Sequence, residues 1–457
     1  MAVEGPEDLA LILSSLALIP TQQTQPPPPE PDCLAFNPPR DKAWLRDTFD
    51  RIPRYLFRVS TPTSDGTTDD VWARSRVTKH SRRRAYTRDL MSMDESTAAN
   101  MLNLHLRWKH DPEDNLVSWS SSLMFAIQYI IYRHKTDRPN PALSDLQLYI
   151  IDTSKFEKGV FLRDIDLIDA FSAFDDGLDS FGDLRRRKHA SHAGSFYFGE
   201  YLSQDSLRIE GRCKAVSADK IVNSGLYSLR PEFQASMAGA SSSWANEVIR
   251  LREVFFANQG NNRVPATAQQ LKEAVRIADE FGTAWRIPVA AHLLALQPRD
   301  CKQEAMLEVF RHTPFRTRAL ANEDINDLSQ PGRPLVASSN SQLPEVQLAD
   351  EILKSILLDI MAKRVTLNIR SAVSSIKRAT DRLKSLKQAI GPDEELEGSE
   401  PLNSPVRSLA EYDPMVKGLG EILAEVEKCF RQLQITAPQP GVRDDDSDKG
   451  VQTKGKH

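Results

Sequence analysis

The spacing of apolar residues changes near Pro231, and this change limits what the chain can fold into. Before Pro231, short runs of aromatic and β-branched residues, bounded by polar or proline residues, are typical of strands. The clearest of these runs are residues 54–59, 116–119 and 146–151. After Pro231, apolar residues such as Trp244, Val248 and Leu251 recur at helical spacing. We therefore predict an α+β domain over residues 46–233, followed by an α-helical C-terminal region.

Composition divides the remainder of the chain into further segments. Four consecutive prolines at residues 26–29 are typical of extended, solvated sequence, and the last residues of the chain are strongly charged. The predicted segments are a disordered Pro-rich arm (1–45), the α+β domain (46–233), a helical region (234–327), a linker (328–346), a helical hairpin or coiled-coil-like region (347–436) and a disordered tail (437–457).

Residues 348–390 repeat apolar side chains at heptad spacing. The repeating positions are Ile369, Ile376, Leu383 and Ile390, with Ala372, Ala379 and Leu386 between them. This pattern predicts a helical hairpin or a short coiled coil, and it makes the segment the candidate surface for a protein partner. It leaves the oligomeric state open.

Charge, cysteine usage and hydropathy exclude several classes of function. A formal net charge of −4 gives no overall attraction for nucleic acid or for a membrane surface. The four cysteines are far apart and lack metal-ligand spacing, so we expect neither disulfides nor a metal site. The apolar residues 9–19 are too few to span a bilayer, and acidic rather than basic residues precede them. These features predict an intracellular protein, cytoplasmic or nuclear, that binds neither membrane nor nucleic acid.

Local signals also predict insertions and helix caps within the α+β region. Residues 74–88 are rich in arginine and are predicted to be a solvated insertion, with nuclear targeting or phosphate contact as the alternatives. Residues 175–194, with a basic cluster at 185–188, are predicted to be a second polar insertion. Asp94 or Ser96 is expected to cap one helix, and the pair at 121–122 the next.

Three short segments of the α+β region carry residues that suit one chemistry. They are Tyr55-Leu56-Phe57-Arg58, Ser118-Trp119-Ser120-Ser121 and Phe198-Gly199-Glu200-Tyr201. An arginine guanidinium is planar and permanently charged, which suits the pyrophosphate of a dinucleotide. Serine hydroxyls suit contacts to nicotinamide and ribose. A carboxylate suits the ribose cation that forms when nicotinamide leaves.

Taken in this order, the segments resemble the arginine-serine-glutamate pattern of the ADP-ribosyltransferase superfamily, and the wider region resembles an uncharacterised domain of fungal proteins. The resemblance covers about residues 50–232. It implies an ADP-ribosyltransferase-like fold with a small split sheet, and NAD as the substrate for ADP-ribose transfer or NAD hydrolysis. It also implies that NAD is bound by Arg58, Ser118, Trp119 and Ser121, with Glu200 and Ser120 as catalytic residues.

The chain departs from the superfamily pattern at two positions. Trp119 stands where a small hydroxyl residue is common. Phe198 stands where arginine-modifying members carry a second glutamate, so we do not expect modification of protein arginines. Glu210 has a similar strand-like context and is the alternative to Glu200.

Each residue of the pattern also has a structural interpretation. Arg58 suits a surface strand, the serines suit a strand end and a helix cap, and Glu200 suits a solvated strand edge. The alternative to an enzyme is a catalytically inactive scaffold that binds a partner through its C-terminal helices, because a fold can persist without its chemistry.

Overall fold

The computed structural model describes residues 31–80, 88–186, 196–239, 244–256, 263–312 and 343–390, together with 417, 418 and 421. Within these residues the strands are β1 (Tyr55–Ser60), β2 (Thr67–Thr68), β3 (Trp72–Arg74), β4 (Leu116–Ser120), β5 (Gln147–Asp152), β6 (Leu162–Arg163), β7 (Glu200–Gln204), β8 (Ser206–Arg208) and β9 (Cys213–Ser217). All pairings between them are antiparallel.

The α-helices of the same residues fall between the strands and after them. They are α1 (Arg76–His80), α2 (Glu95–Leu106), α3 (Leu123–Thr136), α4 (Asp164–Phe171), α5 (Asp176–Arg186), α6 (Ala218–Asn223), α7 (Leu226–Leu229), α8 (Pro231–Ala238), α9 (Trp244–Phe256), α10 (Ala268–Glu280), α11 (Arg286–Leu294), α12 (Glu304–His312) and α13 (Pro344–Ile390). Short 3₁₀ helices are Arg40–Arg51, Leu90–Ser92, Leu143–Asp145, Thr153–Lys155, Ser172–Phe174 and Thr283–Trp285.

The six-stranded sheet has the order β6-β7-β4-β1-β5-β9 and is split in its middle. β1 pairs with β5 along its whole length, from Tyr55 opposite Asp152 onward. It pairs with β4 only where Phe57 lies opposite Ser120. Beyond this point the two central strands diverge, so backbone groups on their facing edges need other partners. A second sheet has the order β2-β3-β8.

The two faces of the large sheet are covered differently. On one face Leu56, Val117 and Tyr201 pack with Ala73 and Leu207 of the small sheet. Alternate residues of a strand point to opposite sides, so the intervening residues of these strands face the other side of the sheet. Helices cover that second face. On that face α2 and α4 pack against the β4 and β7 side, and α3 packs against the β1 and β5 side.

The C-terminal helices share a hydrophobic core with the sheet. Phe57 and Ile150 of the sheet belong to the same buried cluster as Ile277 of α10, Leu293 of α11 and Ile352 of α13. His292 of α11 lies edge-on to Phe57, with ring centroids 4.9 Å apart. The core therefore continues across the boundary predicted at residues 233 and 234.

The coarse prediction of a mixed α+β region followed by helices is confirmed. Asp94 caps α2 by accepting from Thr97 N, and Ser122 caps α3 by accepting from Phe125 N, both as expected from cap chemistry. The folded chain extends before residue 46, since Phe36 and Leu45 are buried. The first 30 residues of the predicted arm and the predicted tail lie outside the described residues.

The prediction of a polar insertion over residues 175–194 is wrong for its first part. Residues Asp176–Arg186 form α5, whose buried face carries Leu178, Phe181 and Arg185. The remainder, 187–194, lies outside the described residues, as do 81–87 of the arginine-rich segment. Its described part is not an insertion in solvent, because Arg74 belongs to β3 and Arg76 to α1.

The predicted heptad segment is one uninterrupted helix, α13, so any turn of a hairpin lies outside the described residues. Its N-terminal part is buried, whereas half-exposed side chains farther along fall four and three residues apart. These are Ile369, Val373, Ile376, Thr380 and Leu383. The predicted positions Ala372 and Ala379 are exposed instead. Among the helices described, none is both long enough and apolar enough to cross a membrane.

Candidate functional site: a charged cleft at the split of the sheet

A cleft of about 810 Å³ opens where β1 and β4 diverge. Its lining includes Arg58, Ser118, Ser120 and Glu200, so residues from all three predicted segments meet at one place. Cationic side chains outnumber carboxylates in the lining by six to four. The cations are Arg58, Arg76, Arg107, Lys109, Arg133 and Arg185, and the carboxylates are Asp65, Asp114, Asp137 and Glu200.

Arg58 bridges the gap between the two central strands. Its Nη1 donates to the carbonyl oxygen of Ser118 at 2.7 Å, and its Nε donates to Thr68 Oγ1 at 2.9 Å. The side chain therefore satisfies a β4 carbonyl that β1 leaves unpaired at the split. Burial lowers the pKa of Arg58 to about 10, against the raising effect of Tyr129, Tyr149 and Asp114. The guanidinium remains a cation at neutral pH.

The hydroxyl of Ser118 lies at the centre of a row of hydrogen bonds. His105 of α2 places its Nε2 2.7 Å from Ser118 Oγ and its Nδ1 2.8 Å from Asp114 Oδ2. Ser118 Oγ in turn donates to Glu200 Oε1 at 2.8 Å. The row Asp114-His105-Ser118-Glu200 thus connects a loop, a helix and two neighbouring strands, β4 and β7, through side chains alone.

Glu200 is bound on both of its oxygens. Ser118 occupies Oε1, and Arg185 of α5 forms an ion pair with Oε2. The same guanidinium lies against Asp164, with Nε 3.1 Å from Oδ2. Arg185 and Asp164 are 4% and 0% exposed, so this is a buried arrangement of one cation between two carboxylates. A buried charge of this kind requires its partner, because removing the partner leaves an uncompensated charge.

Gly199 allows Glu200 to enter the cleft. Its φ of 70° lies in the left-handed region that favours glycine. A Cβ at this position would collide with Ser121 Oγ. The predicted motif therefore contains a glycine that the tight contact with Ser121, just after β4, requires.

Burial and neighbouring charges shift the pKa values of two groups at the cleft, His105 and Asp164. Burial lowers the pKa of His105, but the Asp114 and Glu200 carboxylates outweigh burial and the charge of Arg58, so its pKa lies above the usual range. Burial raises the pKa of Asp164 to about 7, with Arg185 opposing the shift and Glu200 adding to it. The site thus contains a carboxyl group whose pKa is raised to about 7 and a histidine whose pKa is raised.

Contacting aromatic side chains form an aromatic wall within the lining of the cleft. Trp108 stacks on Trp244 with centroids 4.7 Å apart and contacts Tyr129 at 5.0 Å. Phe125 and Phe198 extend the same wall. Trp108 is 43% exposed and has a φ of 55°, an uncommon conformation for a bulky residue. Such strain clusters at ligand sites, where it is held by the surrounding packing.

The other predicted site residues have structural contacts. Ser120 Oγ donates to Phe198 O and accepts from Ser122 N, which ties β4 to the segment preceding β7. Ser121 is fully buried and does not line the cleft. Trp119 is 1% exposed, and its indole donates to Ser203 Oγ on the face of the sheet away from the helices. Its contribution to the site is its ring, 5.8 Å from the Arg58 guanidinium carbon.

Glu210, the alternative carboxylate, lies elsewhere. It forms an ion pair with Arg208 at 2.5 Å, is half-exposed and does not line the cleft. Of the two glutamates, Glu200 is the one that reaches Ser118 and the cleft.

Sequence reasoning missed His105, Asp114 and Arg185. His105 lies on the inner face of a helix that we predicted, but its spacing gives no sign of an acidic partner nine residues later. Arg185 was assigned to solvent because it belongs to a run of basic residues. A useful signal was available in α5, where Leu178, Phe181 and Arg185 recur at helical spacing and place Arg185 on the buried face.

These features define an α+β protein whose split antiparallel sheet holds an arginine-serine-glutamate cleft. Residues 51–204 match a family model described as a domain of unknown function, DUF7587. The match begins just before β1 and ends with β7, so it contains Arg58, the row Asp114-His105-Ser118-Glu200 and Arg185. No curated protein and no solved structure matches the chain.

Proposed function

We propose that the cleft binds NAD and cleaves the bond between nicotinamide and ribose, either transferring ADP-ribose to an acceptor or releasing it to water. The observation that carries this proposal is the meeting of Arg58, Ser118 and Glu200 in one cleft at the split of the sheet. The resemblance to the arginine-serine-glutamate pattern supports the same chemistry. The finer fold assignment, an ADP-ribosyltransferase-like split sheet, is part of the proposal.

The size and lining of the cleft suit a dinucleotide. A volume of about 810 Å³ lies within the range of ligand pockets, which is roughly 300–1,000 Å³. The excess of cations suits a pyrophosphate, and Arg58 would hold it because a guanidinium matches phosphate oxygens. The aromatic wall around Trp108 suits a planar ring system, which stacks on aromatic faces.

Glu200 is suited to stabilise the ribose cation. Arg185 forms an ion pair with the carboxylate, and Ser118 orients it. A carboxylate has about four acceptor positions, so about two remain after these contacts, and one of them could accept from a ribose hydroxyl. Its negative charge would then lie beside the positive charge that develops as nicotinamide leaves.

Two glutamate variants test the proposal. Isothermal titration would measure NAD binding, and nicotinamide release would measure turnover. Glu200→Gln is expected to lower turnover by on the order of a hundredfold or more, as for loss of one group that stabilises transition-state charge. Glu210→Gln is the matched control and should leave turnover unchanged, because Glu210 lies outside the cleft. Absence of both NAD binding and turnover in the full chain would refute the enzymatic proposal.

A second candidate is a binding module without catalysis, which the exposed part of α13 favours. Its half-exposed side chains follow one face at alternating spacings of four and three residues, from Ile369 to Leu383. Such a seam suits packing against another helix. Placing a charge there, as in Ile376→Asp, should weaken association with a helical partner while leaving NAD turnover unchanged.

A further inference from the structure

With a neutral His105, the row of hydrogen bonds around Ser118 would have three contacts and only two hydrogens, and this shortage determines the protonation of the histidine. Ser118 has one hydroxyl hydrogen, and Oγ lies within hydrogen-bond distance of both Glu200 and His105. Glu200 is paired with Arg185 and is therefore an acceptor, so the hydroxyl hydrogen goes to Glu200. His105 Nε2 must then donate to Ser118. Since Nδ1 faces the Asp114 carboxylate, both ring nitrogens donate, and His105 is an imidazolium.

The charges that face His105 stabilise this form. Asp114 contacts the ring directly, and Glu200 lies one hydroxyl away. Arg58 of β1 opposes them, and Arg185 of α5 is paired with Glu200 and Asp164. The ring is 11% exposed, so it loses hydration and depends on these neighbours.

Loss of a proton from His105 would redirect the serine. Nδ1 keeps its hydrogen, which is donated to Asp114. The proton is therefore lost from Nε2, which becomes an acceptor. The Ser118 hydroxyl then donates to His105, and Glu200 Oε1 loses its donor. The same change would give Ser118 the connections of a serine nucleophile with a histidine base and an aspartate. With Glu200 paired to Arg185 and His105 charged, the hydroxyl instead donates to Glu200.

We propose that His105 is a positioning residue of the cleft: in its protonated form it directs the Ser118 hydroxyl onto Glu200, and on deprotonation it withdraws that support. This rests on the proposed function only where turnover is measured. The state of the histidine itself can be measured without any turnover, so failure of one proposal is distinguishable from failure of the other.

A pair of variants separates the two ring nitrogens of His105. The amide nitrogen of His105→Gln can reach the position of Nε2 and donate to Ser118 at every pH. That of His105→Asn reaches only the position of Nδ1, toward Asp114. Nicotinamide release by the full chain should decline as pH rises through the titration of His105. His105→Gln should abolish this decline, whereas His105→Asn should lower turnover about tenfold or more at every pH, the loss expected for one hydrogen bond to a charged group.

Nuclear magnetic resonance of the imidazole provides the measurement that is independent of turnover. We expect His105 to carry hydrogens on both ring nitrogens at pH 6 and to lose the one on Nε2 as pH rises. Glu200→Gln and Ser118→Ala should each make it lose that proton at lower pH, because each removes a group that favours the imidazolium. A neutral ring at pH 6, or a titration that neither variant moves, would overturn the proposal.

Two further results would also overturn it. One is that the pH profiles of the wild type and His105→Gln coincide. The other is covalent labelling of Ser118 by a fluorophosphonate at pH 6, because this would show a nucleophilic serine where the proposal has the hydroxyl committed to Glu200.

Discussion

Arg185 is a buried cation at the cleft. It lies between Asp164 and Glu200 and is 4% exposed, whereas its neighbour Arg186 pairs with Asp169 at the surface. Two adjacent arginines of one helix therefore have different energetic roles. The buried one is the shared cation of two carboxyl groups, and the exposed one is screened by water.

We expect Arg185→Met to lower the free energy of unfolding by about 3–5 kcal/mol, because it leaves buried carboxylates without their cation. Arg186→Met, the control, should change it by at most about 1 kcal/mol. Urea denaturation followed by circular dichroism would measure both. Equal effects of the two variants would contradict the buried arrangement.

The loss in Arg185→Met should also depend on pH. Burial holds the pKa of Asp164 near 7 in the folded chain, above the value of about 4 for an unfolded aspartate. A raised folded pKa favours the folded state at low pH, and this contribution is lost as pH rises through 7. Without Arg185 the carboxyl is still harder to ionise, so the variant should be more destabilised at pH 8 than at pH 5.

At the scale of elements, the start of α13 is joined to α9 by a buried ion pair. Glu345, in the first turn, accepts from Arg252 Nε at 3.0 Å and Nη2 at 2.8 Å, and from Ser122 Oγ at 2.7 Å. Arg252 Nη1 also donates to Tyr197 O at 2.7 Å. One carboxylate thus connects α13, α9 and the cap of α3, close to the segment that presents Glu200.

Glu345→Ala should therefore destabilise the chain by about 3–5 kcal/mol, since it leaves the Arg252 guanidinium buried and unpaired. Glu351→Ala is the matched control on the same helix. Glu351 pairs with Arg263, and both side chains are about half-exposed, so its removal should cost at most about 1 kcal/mol. Thermal unfolding of both variants would test the difference, and similar losses would argue against a structural role of the Glu345 pair.

The elements that could be predicted from sequence are those determined by neighbouring residues. The caps at Asp94 and Ser122 follow from the preference of side-chain oxygens for free backbone N–H groups. The strand at β5 follows from a run of buried apolar residues. The motif residues Arg58, Ser118 and Glu200 were found because each lies in a recognisable local pattern.

The features that could not be predicted depend on pairs distant in the chain. Arg185 appears solvated until Glu200 and Asp164 are brought to it by the fold. Glu345 and Arg252 are separated by 93 residues, and no local pattern relates them. The row through His105 likewise requires α2 to pack over the end of β4. Tertiary packing alone determines where these charged groups lie and which partners they have. The polar composition of α5 therefore predicts an insertion, although its Arg185 is buried.

At the scale of the whole molecule, the sheet and the C-terminal helices form one folding unit. The buried cluster that contains Phe57 and Ile150 extends through α9, α10 and α11 into the start of α13. The DUF7587 match ends at residue 204, well before this core is complete. The sheet that forms the cleft is therefore covered on one face by helices that lie far beyond the matched segment.

We expect a chain that ends at residue 239 not to fold cooperatively. It would lose Phe255, Ile277, Leu293 and Ile352 among other buried side chains. Each such side chain contributes roughly 1.5–3 kcal/mol, whereas the stability of a whole protein is about 5–15 kcal/mol. A chain that ends at residue 363 is the control, because it retains the buried part of α13, and its unfolding should match that of the full chain. Near-ultraviolet circular dichroism during urea denaturation would measure both, and a sharp transition in the shorter chain would show that the sheet folds without its C-terminal helices.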